Sequence, residues 1–359
     1  MSRHRPRAAP GGGPQPRRAA PGGSLQRGAR PLRSRAGPLG GRRAAPGGSQ
    51  PQRGAALITA LLVAALAAVM VSGMLWQQWS LIAREQAARE TAQARWLLRG
   101  ALDWTRLILR EAQATSQVTY LGQPWSVPLA DASLATFLAA HHGSSGELAN
   151  TWLEGRIIDA QSRFNLFNLA PQGKLVDDAV QTLQRLDAAL GIAPAVGDAI
   201  VQGIAAANAG AMSPGPDAAL PLRTLSDLAR LSPQIAEALP TLQPYVTLLP
   251  AATPVNANTA PAVVLAAVLD VSADAAARLV QARTQKYFNS ISAVKQSLSP
   301  SSSSNNPDIS VNSSFFEAIA RIRIGHFEYA ERALLQRVGQ NVQLLRVERA
   351  PPWSARSPS

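Results

Sequence analysis

The chain has 359 residues and a formal net charge of +13 at pH 7. That length is enough for two modest domains, since one domain usually takes about 100 to 200 residues. The charge is concentrated at the start: residues 1–54 contain twelve arginines and no acidic residue, whereas the rest has 23 basic and 22 acidic residues. This balance does not support a nucleic-acid-binding surface after residue 54. The absence of cysteine excludes disulfides and thiolate metal sites.

Residues 1–54 form a segment of low complexity in which the sequence Arg-Ala-Ala-Pro-Gly-Gly begins at Arg7, Arg18 and Arg43. A segment this rich in Arg, Pro and Gly has too few apolar side chains to form a core, so we predict a disordered basic leader. Two origins are open for it: a genuine leader, or translation assigned from a start codon upstream of the true one.

An uncharged apolar stretch, Ala55 to Trp76, follows the leader directly. About 20 apolar residues are enough to cross a membrane as an α-helix. We therefore predict a transmembrane helix at residues 55–78, with the arginine-rich side in the cytoplasm. Helix physics alone leaves three possibilities open: a retained single-span anchor, a removed export signal, or a helix that becomes the amino terminus after a cut just before it.

The junction Arg53-Gly54-Ala55 favours the third possibility, because it resembles the leader of type IV pilins and type II secretion pseudopilins. In those families a prepilin peptidase cuts after the glycine, which implies cleavage between Gly54 and Ala55 here. Most members have glutamate at the fifth mature position, where this chain has Thr59. The K-type pseudopilins usually lack that glutamate, so the resemblance is to the K type. It implies that Arg53 and Thr59 are recognition residues around the cut.

Residues 79–160 are predicted to form the first part of a pilin-like domain. Apolar residues recur every three or four positions up to about Ala114, so we expect the membrane helix to continue as an amphipathic helix. A short helix is predicted at 129–140. Alternating β-forming residues predict a strand at Thr151–Asp159.

Residues 161–300 are predicted to form an inserted α-helical domain. Hydroxyl caps and early acidic residues mark several helix starts, and helices are predicted at 177–190, 197–207, 224–231, 233–245, 262–269 and 272–283. A Gly-Arg-Ile strand that leads to Asp159 and an Asn-x-x-Asn-Leu turn is similar to K-type sequences, as is the Asn-x-Asn-Thr-Ala phrase at 256–260. We expect Asn165 and Asn168 to form a structural turn rather than a ligand site.

The inserted domain contains units similar to helix-hairpin-helix motifs, which bind DNA in other proteins through glycine-containing hairpins. Here the hairpins are at 230–234 and 269–273, and they contain neither those glycines nor basic flanks. A packing role is therefore favoured over DNA binding.

Residues 301–347 are predicted to return the chain to the sheet, with a hairpin formed by 315–324 and 327–335 around Gly325-His326 and a last strand at 343–347. Residues 348–359 are predicted to be a flexible tail. The predicted fold class is α+β: a long pilin-like N-terminal helix packed on a small antiparallel sheet, with a large inserted all-α domain that contains helix-hairpin-helix-like units.

The loop before this hairpin contains weak candidates for a calcium site, Asn305, Asn306 and Asp308, because calcium prefers oxygen ligands. A single carboxylate supplies little charge, so a flexible loop is favoured and no cofactor is certain. Between residues 200 and 222 the chain also lacks the acidic and aromatic residues that K-type sequences usually have.

No nucleophile–base pair, phosphate-binding loop or metal-ligand cluster is evident in the sequence, so we predict a non-enzymatic assembly subunit. The resemblance implies a minor pseudopilin at the tip of the periplasmic pseudopilus, anchored in the bacterial inner membrane, which helps to initiate pseudopilus assembly for export of folded proteins. Its implied partners are the I-type and J-type minor pseudopilins, the major pseudopilin, the prepilin peptidase and the inner membrane, with no nucleic acid.

Two alternatives remain open at this point. The first is a single-span inner-membrane protein with a periplasmic enzyme or receptor domain and a retained basic cytoplasmic arm. The second, which is less favoured, is a membrane-tethered DNA-binding protein.

Overall fold

The structure is a computed structural model that describes residues 53–133, 151–298 and 308–350. It divides into two units, residues 1–70 and 71–359, which are described separately. Helix α1 (Arg53–Thr115) begins in the first unit and continues into the second. Residues 1–52 of the predicted leader (1–54) and residues 351–359 of the predicted tail (348–359) lie outside the described residues. The prediction of a flexible tail is wrong for residues 348 and 349, because strand pairing includes them in the last strand of the sheet.

In the first unit, the described part is the apolar start of α1. Its large side chains, from Leu57 to Met70, are each more than half exposed. Among the described residues, α1 is the one helix that is long and apolar enough to cross a membrane.

The second unit contains the rest of α1 and all of the strands. In chain order its further elements are β1 (Leu129–Ser133), β2 (Thr151–Asp159), β3 (Phe164–Asn165), α2 (Asp177–Leu190), α3 (Pro194–Met212), α4 (Pro233–Leu242), β4 (Val246–Thr247), β5 (Val255–Asn256), α5 (Ala262–Leu269), α6 (Ala273–Gln285), α7 (Ile291–Gln296), β6 (Ile309–Ser310), β7 (Phe315–Ile324), β8 (Phe327–Val338) and β9 (Asn341–Arg349). Short 3₁₀ turns lie at Pro124–Ser126, Ala160–Ser162, Leu166–Leu169 and Leu225–Arg230.

Over the ranges that the structure describes, the main sheet has five antiparallel strands in the order β1-β2-β7-β8-β9. Helix α1 packs one face on it, because its buried residues recur at helical spacing. Ala94 and Leu98 contact the end of the sheet around Ile322, whereas Leu102 and Leu109 contact the region around Phe316. One part of the fold is therefore a long helix packed on a small sheet, as the sequence predicts.

The predicted hairpin after the inserted segment is confirmed: all of β7 pairs with β8 around Gly325-His326. Gly325 has φ of +57°, a left-handed conformation that costs glycine little. The last strand, β9, is longer at both ends than predicted.

The helix predicted at 129–140 is wrong for its first residues, because 129–133 is strand β1, which pairs with β2. Sheet pairing overrides local helix preference there. Residues 134–140 lie outside the described residues.

The segment between β3 and β6 is mainly helical and has its own hydrophobic core, which includes Leu183, Ile200, Leu228 and Leu265. The predicted helices at Asp177–Leu190 and Ala262–Leu269 have the predicted bounds, and the others differ by a few residues at their ends. The start predicted at Thr224 is a capping box with Asp227. Two short parallel pairings, β3 with β4 and β5 with β6, accompany the helices. The fold class is therefore α+β, as predicted.

Candidate functional site

The leader junction lies at the first residues of α1. Arg53 is the first helical residue, and Gly54 and Ala55 follow it in helical conformation. The hydroxyl of Thr59 donates a hydrogen bond to the backbone carbonyl of Ala56, 2.9 Å away. Because this bond lies within one helix, Thr59 needs no polar group from lipid or from another protein. The exposed apolar surface around it is suited to contact with lipid or with other apolar helices.

A second candidate region is the polar junction, which we define as Asp159, Asn256, Thr259 and Ser313, together with Thr119, Asn312 and Arg337. Asp159 is the last residue of β2 and is fully buried. Its Oδ2 accepts hydrogen bonds from Ser313 Oγ and Thr259 Oγ1, both at 2.6 Å, and from Asn256 Nδ2 at 2.9 Å. Its Oδ1 accepts from the backbone N–H of Gln161 at 2.9 Å. The carboxylate thus has a donor from each of four positions along the chain.

The outer part of the polar junction joins the loop after α1 to the sheet. Arg337 Nη2 donates to Thr119 Oγ1 and to Asn312 Oδ1, each at 2.9 Å. Asn256 Nδ2 also donates to the Thr119 carbonyl at 3.1 Å. The junction therefore fixes the inserted helical segment against the pilin-like sheet through buried hydrogen bonds.

The charges of the junction follow from its burial. Burial raises the pKa of Asp159, and the bonds from Ser313, Thr259 and Asn256 act in the opposite direction. Burial lowers the pKa of Arg337, and the nearby charge of Asp159 opposes that change. The donors around Asp159 are all parts of the fold itself. The arrangement is therefore suited to holding segments in place rather than to acid–base chemistry.

The asparagine turn predicted after Asp159 is confirmed as a structural turn. Asn165 accepts at Oδ1 from the backbone N–H groups of Phe167 and Leu249, both at 3.1 Å. Asn168 exchanges two bonds with the backbone of Thr253, at 2.8 and 3.0 Å. The two side-chain amides thus form hydrogen bonds with backbone groups that would pair with other backbone groups in a regular strand or helix.

The calcium candidates are only partly placed by the structure. Asn305 and Asn306 lie outside the described residues. Asp308 accepts a hydrogen bond from Asn168 Nδ2 at 2.7 Å. Burial raises the pKa of the Asp308 carboxyl, while the bond from Asn168 lowers it. Within the described residues no three acidic, histidine or cysteine side chains form a metal-binding group, and the donor set there does not favour calcium.

The helical hairpins of the inserted segment are packed rather than open. Asp270 takes a left-handed conformation between α5 and α6, with φ of 54°. Arg185 Nε donates to the Ala267 carbonyl at 2.8 Å, and its guanidinium lies 3.7 Å from the Asp270 carboxylate. A carboxylate at the hairpin would repel phosphate groups, so the geometry favours the packing role.

Sequence reasoning missed a buried carboxyl group at Asp187, near the end of α2. Both of its oxygens are buried, and neither has a hydrogen-bond partner among the described residues. Burial, assisted by the charge of Asp198, raises the pKa of Asp187 to about 7. A signal was available, because Asp187 follows Leu183 and Leu186 on the apolar side of the helix. Reasoning from local pattern also missed the buried ion pair between Arg163 and Glu317, at 2.9 Å.

Two family models, both described as Type II secretion system (T2SS), protein K, match residues 162–251 and 255–312. Type II secretion system protein K of Pseudomonas aeruginosa is 27% identical over 313 residues, which cover 80% of this chain and 89% of that protein. This chain is a relative of type II secretion system protein K. The protein K of Klebsiella pneumoniae is also 27% identical, over 334 residues that cover 85% of this chain and 98% of the relative.

The fold agrees with that of a chain in a solved complex. The crystal structure of the GspK-GspI-GspJ complex from the enterotoxigenic Escherichia coli type 2 secretion system contains a chain that matches with a TM-score of 0.53. The match has 19% sequence identity and covers 75% of this chain and 99% of that chain. The predicted resemblance to protein K is therefore confirmed, and the likeness of the two structures is a likeness of fold.

Proposed function

We propose that the chain is a non-enzymatic minor pseudopilin of a type II protein secretion system. The observation that carries this proposal is the similarity to protein K along most of the chain, together with an apolar helix at the start. The described residues provide an apolar start of α1, a sheet packed on the later part of the same helix and a packed helical insertion. These parts are suited to assembly with other subunits.

The proposal includes processing at the leader junction. A prepilin peptidase would cut between Gly54 and Ala55, with Arg53 and Thr59 as recognition residues. The new amino terminus would then begin an uncut apolar helix at 55–78, which anchors the subunit once in the bacterial inner membrane. The arginine-rich residues before the cut favour a cytoplasmic side for the amino terminus, and therefore a periplasmic side for the rest of the chain.

The proposed place of the subunit is the tip of the pseudopilus, where it helps to initiate assembly for export of folded proteins across the outer membrane. A buried carboxylate in an apolar bundle needs a charged partner, which in a fibre would come from a neighbouring subunit. The hydroxyl of Thr59 bonds within its own helix and needs no such partner. The internal hydrogen bond of Thr59 therefore supports a position at the tip, where no further subunit lies above this one.

The proposed domain limits follow the same plan. Residues 79–160 and 301–347 would form the two parts of the pilin-like domain, and residues 161–300 the inserted helical domain. At the tip the inserted domain would point outward, and its bulk would oppose the addition of a further subunit. The proposed partners are the I-type and J-type minor pseudopilins and the major pseudopilin. The match to a chain of the GspK-GspI-GspJ complex supports the first two.

The test is to replace Gly54 with valine and to follow the size and amino terminus of the protein in cells with and without the prepilin peptidase. We expect wild-type chain to begin at Ala55 only when the peptidase is present, and Gly54→Val to keep the leader. Gly73→Val is the matched control, because Gly73 lies in the same helix with open space around it. The control should be cut normally.

The same experiment separates the proposal from its rival, a single-span protein with an enzyme or receptor domain and a retained basic arm. If wild-type chain keeps residues 1–54 whether or not the peptidase is present, the pseudopilin proposal fails. If this chain is cut but does not copurify with other pseudopilins, the proposed processing stands and the proposed assembly role fails.

A further inference from the structure

The second unit has a groove between helix α1 and strand β9, which we call the α1–β9 groove. Thr91, Arg95 and Arg99 line its helix side, and Val347 and Arg349 line its strand side. Each of the three helix residues is four positions from the next, so all three lie on one face of α1. The groove has a volume of about 430 Å³. Next to the groove, Arg106 Nε holds α1 to the start of β9 through the Val342 carbonyl, at 3.0 Å.

The floor of the groove is an aromatic ring with two cations close to it. Tyr329 is buried, and the guanidinium carbons of Arg95 and Arg349 lie 5.8 and 5.5 Å from its ring centre. Its hydroxyl accepts a hydrogen bond from Arg95 Nε and donates one to Glu331, both at 3.1 Å. Two guanidinium groups on one ring repel each other, so an added anion would lower the energy of the pair.

The charge of the groove is positive after its own carboxylates are considered. Two carboxylates, Glu331 and Glu348, line it with three arginines. Glu348 pairs with Arg346, which lies outside the groove lining. Among the described residues that line the groove, Glu331 therefore remains as the single carboxylate for Arg95, Arg99 and Arg349. A ligand with carboxylates fits this balance.

The strand side of the groove is a sheet edge. Within the described residues, β9 pairs with β8 alone. Three large apolar side chains of this strand are exposed: Leu344, Leu345 and Val347, at 42%, 39% and 41%. Such an edge presents unpaired N–H and C=O groups along a strand of nine residues.

We infer that the α1–β9 groove binds an extended acidic segment of a partner protein, which pairs with the edge of β9 and places carboxylates against Arg95, Arg99 and Arg349. Main-chain pairing would supply affinity, and the arginines would select the charge. The chain's own residues 351–359 fit this site less well, since they contain Arg356 and no Asp or Glu. The inference does not depend on the proposed secretion role.

The test uses the full chain in detergent and a fluorescein-labelled peptide of nine residues that alternates valine and glutamate. A matched peptide has glutamine in place of glutamate. We expect the glutamate peptide to bind at least tenfold more tightly. Arg99→Ala and Arg349→Ala should each weaken its binding about tenfold, which corresponds to a loss of about 1.4 kcal/mol in binding free energy. Arg110→Ala is the control, since Arg110 is exposed on α1 and does not line the groove.

Any one of four results would overturn the inference. Equal binding of the glutamate and glutamine peptides, or unchanged binding after Arg99→Ala, would mean that the arginines do not select the ligand. Equal binding of a peptide methylated on alternate backbone nitrogens would exclude pairing with β9. A tenfold gain in affinity after removal of residues 351–359 would show that the groove belongs to the chain's own tail. Circular dichroism confirms that each variant is folded.

Discussion

Replacing Asp187 with asparagine should make the protein more stable at neutral and alkaline pH. In the wild-type chain both carboxyl oxygens are buried, with no hydrogen-bond partner in the part of the chain that the structure describes. The pKa is raised from 3.8 to about 7 by burial and by Asp198. The residue also lies near the C-terminal end of α2, where negative charge is disfavoured. Asparagine has nearly the same shape and no charge to bury.

The size of the effect follows from the difference between the folded and unfolded pKa. A carboxyl group with a folded pKa near 7 holds its proton more tightly in the folded than in the unfolded protein. Stability therefore rises as pH falls from above 7 towards 4, by at most about 4 kcal/mol, since each tenfold difference in proton affinity is worth about 1.36 kcal/mol. At pH 8 the variant should gain up to that amount, and near pH 4 the gain should vanish.

The assay is urea unfolding of the full chain in detergent, followed by circular dichroism at several pH values between 4 and 8.5. Asp177→Asn is the matched control, because Asp177 is an exposed acid in the first turn of the same helix. We expect the control to lose slightly in stability and to keep the wild-type pH dependence. If Asp187→Asn unfolds with the wild-type pH dependence, the carboxyl group is already ionised without cost, and the reasoning is refuted.

Three further changes test the packing of the second unit. Asp159→Ala should cost about 3 kcal/mol or more in the free energy of unfolding, because it leaves several buried donors unpaired, and unfolding in urea measures this. Gly197→Ala should cost about 1 to 3 kcal/mol in the same assay, since its Cβ would lie 2.3 Å from Asp187 Oδ2, whereas Gly215→Ala, in open space, should be nearly neutral. Leu183→Ala should cost about 2 to 5 kcal/mol, because Leu183 is fully buried, and a loss below 1 kcal/mol would contradict the core described above.

The parts of the fold that sequence predicts well are those with a strong local pattern. Strand β2 alternates β-forming residues, the β7–β8 hairpin has a glycine at its turn, and α5 is an unbroken apolar run with a proline before it. The apolar helix after Gly54 is equally plain, because its length and lack of charge leave few alternatives. At these positions local chemistry and tertiary structure agree.

The missed parts depend on contacts between distant residues. Strand β1 forms because β2 lies beside it, and its own residues give little sign of it. Arg337 and Thr119 are 218 positions apart, and nothing near either residue indicates that they bond. The α1–β9 groove likewise needs a helix and a strand from opposite ends of the second unit. Local pattern identifies the residues, and only the fold brings them together.

The polar junction makes closure of the main sheet depend on folding of the inserted helical segment. Asp159 and Ser313 are 154 positions apart, and closing an unstructured loop of that length costs about 4 to 5 kcal/mol in chain entropy. A folded insertion with its own hydrophobic core brings its two ends close together before the sheet closes. Asn256 and Thr259 then contribute donors from within the insertion to the same carboxylate. The sheet should therefore close only on a folded insertion, and the junction makes the stability of each part depend on the other.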